Sequence, residues 1–320
     1  MATQNDAKAS NKINFTNQDN SINYGNQYGI GIQNNVIVNL NFYLEKGDVN
    51  FPYKESSFLP QDAEYFFGRD EFLKKLITAI ENNNFIPVLG QSKSGKSSVI
   101  LAGLIPRLAK AKNWLFTFFR PREDPFYNLA QALVPLYIPE IDQTELEAET
   151  KKLKSSLENK TTSLSKIIDK IQQKNPGNRI LIIADQFEQL YTFCTDGETR
   201  YKFINTLLQT FQNSTEKSFL STKLITAIGT NFLENTEFHK PLADVLKKDG
   251  ITLGQMKSNQ LREVIEKPTQ KLGIEVEKRL VERLIEDVIE KQERLALLAF
   301  SLIELWEKQN GKQLTYRAYE

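Results

Sequence analysis

The chain has 320 residues, 40% hydrophobic and 25% charged, with a formal net charge of +1. Such a chain is long enough for two globular domains and an appendage. Because the charges nearly balance, there is no overall basic field, and we expect no nucleic-acid partner. The only cysteine, Cys194, excludes an internal disulfide, and the only histidine, His239, excludes His-pair metal sites and the usual His-based triads. We expect both side chains to be packed rather than reactive.

The two ends of the sequence indicate where in the cell the protein is found and whether the sequence is part of a longer protein. The start lacks a basic flank followed by an apolar core, and no later apolar run approaches the length of a membrane span. These features predict a cytoplasmic protein with no membrane partner. The sequence stops near residue 320 just as another element begins, so we expect it to be part of a longer or truncated protein.

Residues 1–50 have a composition of their own, rich in Asn, Gln, Gly, Ile and Tyr and poor in charge. Apolar residues alternate with polar or small ones at period two, with Ile30, Ile32, Val36 and Val38 at the centre. Such segments pair as strands, and Asn/Gln ladders are typical of cross-β stacking. A single chain buries too little surface to order them, so we expect disorder or a short β-hairpin. A tail without function is the alternative interpretation.

The remaining sequence divides into three parts: a linker at 51–60, an α/β domain at 61–248 and a small all-helical lid at 249–320. The predicted strands are 86–89, 114–119, 180–185 and 223–228. The predicted helices begin near 70 and 97 and continue with 125–136, two exposed helices within 141–174, 199–211, 259–266, 275–289 and 294–307. Uninterrupted apolar runs are typical of central parallel strands, so we predict a parallel sheet flanked by helices.

Residues 85–98 organise the chain. Gly90, Gly95, Lys96 and Ser97 fit the P-loop pattern G-x-x-x-x-G-K-[ST], and the pattern lies between a predicted strand and a predicted helix. In a P-loop the backbone N–H groups cradle phosphates, the lysine reaches the β- and γ-phosphates, and the serine hydroxyl binds Mg²⁺. A Gly/Ser-rich surface loop is the plainer alternative. The pattern predicts binding of ATP or ADP with Mg²⁺.

A P-loop also needs a carboxylate at the end of a neighbouring strand to help hold Mg²⁺. Asp185, at the end of a predicted strand, is in the position to supply it. Glu188 is the nearest carboxylate that can polarise an attacking water. A structural hydrogen-bond acceptor is an equally good interpretation of Glu188.

Together these motifs resemble the novel STAND NTPases, prokaryotic signal-transduction ATPases related to the AAA proteins. The resemblance covers residues 58–320. Its motifs are 66–71, 90–98, 102–106, 120–121, 185–188, 261–268, 298–306 and 314–319. It implies a switch in which ADP holds a closed monomer, while ATP permits an open form that oligomerises and activates an effector.

The resemblance also implies residue roles, and the chain departs from the family at two positions. Gly68 and Arg69 correspond to residues beside adenine and ribose, with a helix-start salt bridge as the alternative role for Arg69. Gly229 stands where the family usually has an arginine that senses the γ-phosphate. Residues 295–298 read Leu-Ala-Leu-Leu where the family usually has a proline at the second position. We therefore expect nucleotide binding with slow hydrolysis.

The predicted site residues follow from the P-loop, the two carboxylates and the resemblance. The catalytic residues are Lys96, Asp185 and Glu188, and the metal ligands are Ser97 and Asp185. The nucleotide-binding residues are Gly68, Arg69, Gly90, Gln91, Ser92, Lys93, Ser94, Gly95, Lys96, Ser97 and Ser98.

Three functions are compatible with these residues. The first is a STAND-type switch that hydrolyses ATP slowly, forms an ATP-dependent homo-oligomer and recruits an effector. The second is a nucleotide-gated scaffold that does not hydrolyse, and the third is an AAA-like remodeller of DNA or protein. Residues 11–44 resemble the Asn/Gln/Gly-rich amyloid signalling motifs found ahead of some STAND proteins. That likeness implies an effector partner that binds through the N-terminal segment.

Overall fold

The computed structural model describes residues 29–33, 36–40, 52–111, 113–212, 221–237, 239–309 and 311–320. Its strands lie in one large and one small sheet. They are β1 Gly29–Gln33, β2 Val36–Leu40, β3 Phe85–Gly90, β4 Trp114–Phe119, β5 Arg179–Ala184, β6 Thr222–Gly229, β7 Ile251–Thr252, β8 Glu275–Val276 and β9 Gln313–Leu314.

Five parallel strands form the centre of the protein, in the order β4-β5-β6-β3-β7. Nearly every residue of β3 to β6 is buried, because helices cover both faces of the sheet. This burial explains the uninterrupted apolar runs, since neither face of the strands needs polar side chains. The predicted parallel sheet flanked by helices is confirmed.

The strand order differs from the expectation in one respect. The sequence places Asp185 on a strand next to the P-loop strand, but β6 lies between β3 and β5. Because all these strands are parallel, their carboxyl ends meet at one edge of the sheet. Asp185 therefore still reaches the P-loop, across the end of the intervening strand.

A hairpin extends the sheet beyond β4. Strands β1 and β2 pair antiparallel, and β2 runs parallel to β4 with Val38 opposite Phe116. The expected short β element of the N-terminal segment is thus present over 29–40, apart from 34–35, which lie outside the described residues. Residues 1–28 and 41–51 also lie outside the described residues.

The helices are close to those predicted from apolar spacing. They are α1 Asp70–Asn82, α2 Lys96–Ser98, α3 Ile105–Ala109, α4 Pro125–Leu133, α5 Gln143–Glu158, α6 Leu164–Lys174, α7 Gln189–Thr192, α8 Gly197–Phe211, α9 Leu233–Thr236, α10 Lys240–Asp249, α11 Ser258–Lys271, α12 Lys278–Ile289, α13 Arg294–Glu307 and α14 Tyr316–Tyr319. In the described part of the chain, none of them combines the length and the apolarity that crossing a membrane requires.

Two apolar cores hold the helices to the sheet. One core joins α1 and the helix after the P-loop to one face, and the other joins α4, α5, α6, α8 and α10 to the opposite face. The charge-rich helices α5 and α6 are therefore exposed on one side only. Leu153 and Ile168 are buried in the second core, because apolar residues at three- and four-residue spacing share one face of a helix.

The helix that follows the P-loop is irregular. A π-helical turn at Val99–Leu104 separates α2 from α3, and Pro106 lies at the start of α3. Proline has no N–H with which to continue the ladder of i to i−4 bonds, so a local change of helix geometry near it is expected. All six residues of the turn are buried against the sheet and α1.

Helices α11, α12 and α13 form the lid around a third core that includes Leu261, Leu284 and Leu302. The lid is not purely helical, since β8 and β9 pair in parallel. The main sheet also continues past the boundary predicted at 248, because β7 pairs with β3. Two-residue strands are too short to produce a sequence period, which explains why the sequence did not reveal them.

Candidate functional site

A cleft of about 630 Å³ lies between the P-loop, the lid and the linker. P-loop residues 92–98 form one wall, and Asp185, Gln186 and Glu188 form the end. Lid residues 295–299 and linker residues 53–58 line other sides of the cleft, and further lining residues are Tyr65, Phe66, Phe67, Arg69, Met256, Val264, Glu293 and Leu302. A cleft of this volume matches the usual size of ligand pockets.

The P-loop has the backbone shape that its sequence predicts. Gly95 has φ +89 and lies directly before α2. A Cβ at Gly90 would come within 2.9 Å of Ser94 Oγ and 3.1 Å of the Leu253 carbonyl oxygen. Only glycine fits at position 90 without displacing the loop, and the left-handed backbone at Gly95 also favours glycine.

Lys96 is buried under the loop. Its Nζ donates hydrogen bonds of 2.9 Å to the carbonyl oxygens of Gly90 and Gln91. Burial lowers the pKa of Lys96, while the charges of Glu188 and Asp185 oppose the shift. The ammonium thus has neutral oxygens as its nearest partners, which leaves its charge to favour an anion in the cleft.

Ser97 and Asp185 meet at the closed end of the cleft. Ser97 Oγ donates to Asp185 Oδ1 at 2.7 Å, and the Asp185 side chain is 1% exposed. A hydroxyl and a carboxylate oxygen side by side are the hard donors that Mg²⁺ takes, together with substrate phosphates. The residues present therefore fit a Mg²⁺ that is shared with a nucleotide. Among the described residues, no group of three or more His, Cys, Asp or Glu side chains forms a separate metal cage.

Arg120 belongs to this end of the site although it was not among the predicted residues. Its Nε and Nη2 donate to Asp185 Oδ2 at 3.2 and 3.1 Å. In the sequence, Arg120 belongs to one of the motifs of the resemblance, at 120–121, and is the first charged residue after a predicted strand. Strand order is not readable from that position, so the pairing with Asp185 could not be derived.

Glu188 lines the cleft and also has a structural bond. Its Oε2 accepts a hydrogen bond of 3.1 Å from the Gly229 N–H. The chain turns sharply before it, because Gln186 has φ +49. This turn directs Glu188 towards the ends of β5 and β6. The structural interpretation of Glu188 thus has a hydrogen bond to support it, and the position of Glu188 in the cleft lining is compatible with the catalytic interpretation.

Gly229 lies against Glu188, at the end of β6. An ideal Cβ there would be 3.6 Å from Glu188 Oε1, but only 2.7 Å from Asn231 Oδ1 and 3.2 Å from the Phe232 ring. A side chain at this position would therefore start beside the Glu188 carboxylate. Without the arginine that the family usually has here, position 229 carries no positive charge. Asn231 would have to move if an arginine were introduced.

Arg69 lines the cleft and also bonds two backbone carbonyls. Its guanidinium donates to the carbonyl oxygens of Ser94, at 2.9 Å, and Gly254, at 2.7 Å. Burial lowers the pKa of Arg69 to about 10, so it stays charged at neutral pH. Arg69 thus braces the P-loop against the chain that enters the lid. Neither of these two bonds is the salt bridge at a helix start that was the alternative role for Arg69.

Gly68, Gly90 and Gln91 do not line the cleft, in contrast to the other eight predicted nucleotide-binding residues. Gly68 has φ +80, and a Cβ there would be 2.8 Å from the Gln260 carbonyl oxygen of α11. Its positive φ and its close approach to the lid explain why a glycine stands here. Gly90 and Gln91 contribute indirectly, because their carbonyl oxygens accept the hydrogen bonds that hold Lys96 in place.

The linker is packed rather than free. Tyr53 is buried in the lid core, where its hydroxyl donates to the Ile265 carbonyl oxygen at 2.7 Å. At the other end, the Phe58 N–H donates to Ser98 Oγ at 3.1 Å. The linker therefore runs along the cleft from the lid to the P-loop helix. Its contacts are too distant in sequence to be predicted.

The two remaining single residues are buried, as packed side chains should be. His239 caps α10, accepting the Leu242 N–H at Nδ1, and burial lowers its pKa. Cys194 is 3% exposed, and burial raises the pKa of its thiol. Neither residue lines the cleft.

Solved structures share this fold at low sequence identity. A Walker-type ATPase of Pyrococcus abyssi matches with a TM-score of 0.56 and 13% identity, over 81% of this chain and 73% of that one. The Aeropyrum pernix ORC2 protein, solved in ADPNP–ADP complexes, matches with a TM-score of 0.56 and 15% identity, over 84% of this chain and 69% of that one. The A. pernix ORC1 protein, solved with DNA, matches with 0.53 and 14%, over 85% of this chain and 66% of that one. The chain thus spans about two thirds of the Orc proteins' length. No curated protein matches the sequence.

A parallel sheet with a P-loop, a carboxylate beside the P-loop serine and a lid over the cleft define a P-loop NTPase. The family model for Novel STAND NTPase 1 matches residues 52–320. The chain belongs to this family. The expected resemblance is confirmed, and it covers all of the chain except the N-terminal segment and the first linker residue.

Proposed function

We propose that the protein is a STAND-type switch. It binds ATP or ADP with Mg²⁺ and couples the bound nucleotide to self-association and effector recruitment. The observation that carries this proposal is the cleft with three walls, since the P-loop, the lid and the linker to the N-terminal segment all line it. A nucleotide in such a cleft would contact the P-loop that binds it, and also the lid and the linker, whose positions can change with the bound nucleotide.

Several direct contacts join the three walls. Lys93 Nζ of the P-loop pairs with Glu293 Oε2 of the lid at 2.8 Å, and Gln255 Nε2 donates to Gln91 Oε1 at 2.8 Å. These exposed contacts are individually weak, so a change of ligand can shift their balance. The linker bonds at Tyr53 and Phe58 lie on either side of the same cleft. This arrangement supports coupling of the lid and the linker to the nucleotide.

The residues at the polar end supply the elements of slow phosphoryl transfer. Lys96 binds phosphates, Ser97 and Asp185 hold Mg²⁺, and Glu188 orients a water by accepting its proton. Bound Mg²⁺ supplies charge neutralisation at the transferring phosphoryl group. Position 229 offers no positive charge. Because such a charge on the phosphoryl group carries a large share of the rate in related reactions, we propose weak hydrolysis.

We expect ATP turnover slower than about 1 s⁻¹, at the low end of the usual enzyme range. Multiple-turnover phosphate release measures it. Glu188→Gln should reduce the rate further, by at least about tenfold, while the exposed Glu286→Gln on α12 should not. A wild-type rate of tens per second would contradict the proposal. A rate that Lys96→Ala does not lower would favour the scaffold that does not hydrolyse.

Self-association is tested by mass photometry of the full chain with ATP or ADP. The proposal requires larger assemblies with ATP than with ADP. The DNA complex of the A. pernix ORC1 protein gives a reason to measure DNA binding in parallel. Affinity for DNA that falls steeply with salt would favour a remodeller acting on DNA instead.

The effector is proposed to bind through residues 11–44. The hairpin at 29–40 already uses strand pairing within one chain, since β2 pairs with β4. Assembly of the NTPase would raise the local concentration of these segments, and alternating apolar strands with Asn ladders can then stack.

We expect the isolated 11–44 peptide to form fibres with a cross-β diffraction pattern. Ile32→Lys or Val38→Lys should prevent fibres, because a charge in a dry zipper is not solvated. Asn39→Gln, which keeps an amide side chain, serves as the control. A peptide that stays monomeric at high concentration, together with intact signalling after deletion of 11–44, would make the segment a solubilising leader.

A further inference from the structure

Arg120 and Asp185 form a buried ion pair at the closed end of the cleft. Arg120 follows β4, and Asp185 follows the adjacent strand β5. Two guanidinium nitrogens contact one carboxylate oxygen, Oδ2, while Ser97 bonds the other, Oδ1. The Asp185 side chain is 1% exposed and that of Arg120 is 26% exposed. A carboxylate so deeply buried needs a partner charge, because water cannot solvate it.

Among the described residues, the charged side chains around the closed end carry no net negative charge without a nucleotide. Lys96 and Arg120 are cations, and Asp185 and Glu188 are anions. Of two other cations that line the cleft, Lys93 pairs with Glu293, whereas Arg69 bonds only neutral backbone carbonyls and keeps its positive charge. A free Mg²⁺ entering this group would add two uncompensated positive charges.

We propose that Arg120 is a positioning and specificity-determining residue, the internal counterion of Asp185, which makes Mg²⁺ binding conditional on nucleotide phosphates. Arg120 does not line the cleft, so it acts through Asp185 rather than on the nucleotide. It neutralises the carboxylate and leaves Oδ1 directed towards Ser97. Phosphates restore the charge balance when Mg²⁺ enters with them, whereas Mg²⁺ alone is repelled.

This inference rests on the metal-binding role of Asp185 in the proposed function. It is independent of assembly, of the effector and of the rate of hydrolysis. A test with metal alone therefore separates it from the switch, because neither nucleotide nor oligomer is involved.

The experiment is a thermal-unfolding titration of the full chain with MgCl₂ alone, against NaCl of equal ionic strength. Arg120→Gln removes the charge and keeps an amide donor. We expect Arg120→Gln to be less stable than the wild type without metal, and to be stabilised by MgCl₂. Its half-saturating Mg²⁺ concentration should be at least about tenfold below that of the wild type, because a repelling unit charge is gone.

Three further variants decide the cause. Arg122→Gln removes an exposed positive charge from the same loop and should respond to MgCl₂ like the wild type. Arg120→Lys keeps the charge and should also respond like the wild type. Asp185→Asn combined with Arg120→Gln removes both charges, so it should recover stability without metal and lose the response to MgCl₂.

Several results would overturn the proposal. One is an equal response of the wild type and Arg120→Gln to MgCl₂. Another is a response of Arg120→Lys that equals that of Arg120→Gln, since shape rather than charge would then matter. If Arg120→Gln does not fold, the double variant should restore folding, and a double variant that stays unfolded also counts against the proposal.

Discussion

Lys96→Ala should abolish binding of Mg·ATP and Mg·ADP. The ammonium lies under the P-loop, where it bonds the Gly90 and Gln91 carbonyl oxygens at 2.9 Å. In the proposed function it is the compact cation that contacts the β- and γ-phosphates. Its removal takes away a charge-assisted bond in a buried place, so we expect affinity to fall by at least about 100-fold. Isothermal calorimetry measures the affinity for both nucleotides.

The control for this variant is Lys110→Ala, which removes an exposed lysine just beyond α3. It should change the affinity by less than about threefold, because an exposed charge is screened by water and salt. The melting temperature of each variant without nucleotide shows whether the fold is intact. Unchanged affinity in a folded Lys96→Ala protein would exclude the P-loop as the nucleotide site.

Arg69→Ala should destabilise the protein even when no nucleotide is present. The variant leaves the buried carbonyl oxygen of Ser94 without its donor, and also removes the bond to the carbonyl oxygen of the exposed Gly254. An unsatisfied buried acceptor costs about 1–3 kcal/mol, so we expect a loss of about 2 kcal/mol in the free energy of unfolding. Arg69→Lys should recover little of this stability, because a single ammonium cannot reproduce the two guanidinium nitrogens that bond Gly254 and Ser94 separately.

This variant separates the brace from the ribose contact that the resemblance implies. A residue that only contacts the nucleotide would weaken binding and leave the nucleotide-free protein as stable as before. Arg107→Ala is the matched control, since Arg107 also bonds a carbonyl, that of Gly103, but its side chain is 37% exposed. Its loss should cost less than about 1 kcal/mol. Chemical denaturation without nucleotide measures all three variants.

The sequence predicts those elements whose signals are local. Helix α13 was predicted at 294–307 and β4 at 114–119, and the structure has both within the same bounds. Helix α13 has apolar residues at helical spacing, and β4 is an uninterrupted apolar run, so both signals lie within the segment itself. The P-loop was also predictable, because its chemistry depends on residues that are adjacent in the chain.

The sequence does not predict features that depend on distant partners. Arg69 bonds residues 25 and 185 positions away, and Arg120 bonds a residue 65 positions away. No local period encodes such pairs, and strand order, which decides them, depends on how crossovers pack. This is also why Asp185 was expected on the strand beside β3 and is found one strand further on.

The short strand β7 makes the entrance to the lid a pivot. Only Ile251 and Thr252 pair with β3, and the Leu253 N–H adds a bond of 2.7 Å to the Leu89 carbonyl oxygen. Gly254 follows at once, with open space where a Cβ would be. The lid thus joins the sheet through a short strand next to the P-loop. Helix α13 alone is about 21 Å long, so a rotation of about 10° there would carry its far end through roughly 4 Å. If the protein is the switch proposed above, small adjustments at the phosphates would in this way become displacements large enough for a neighbouring molecule to detect.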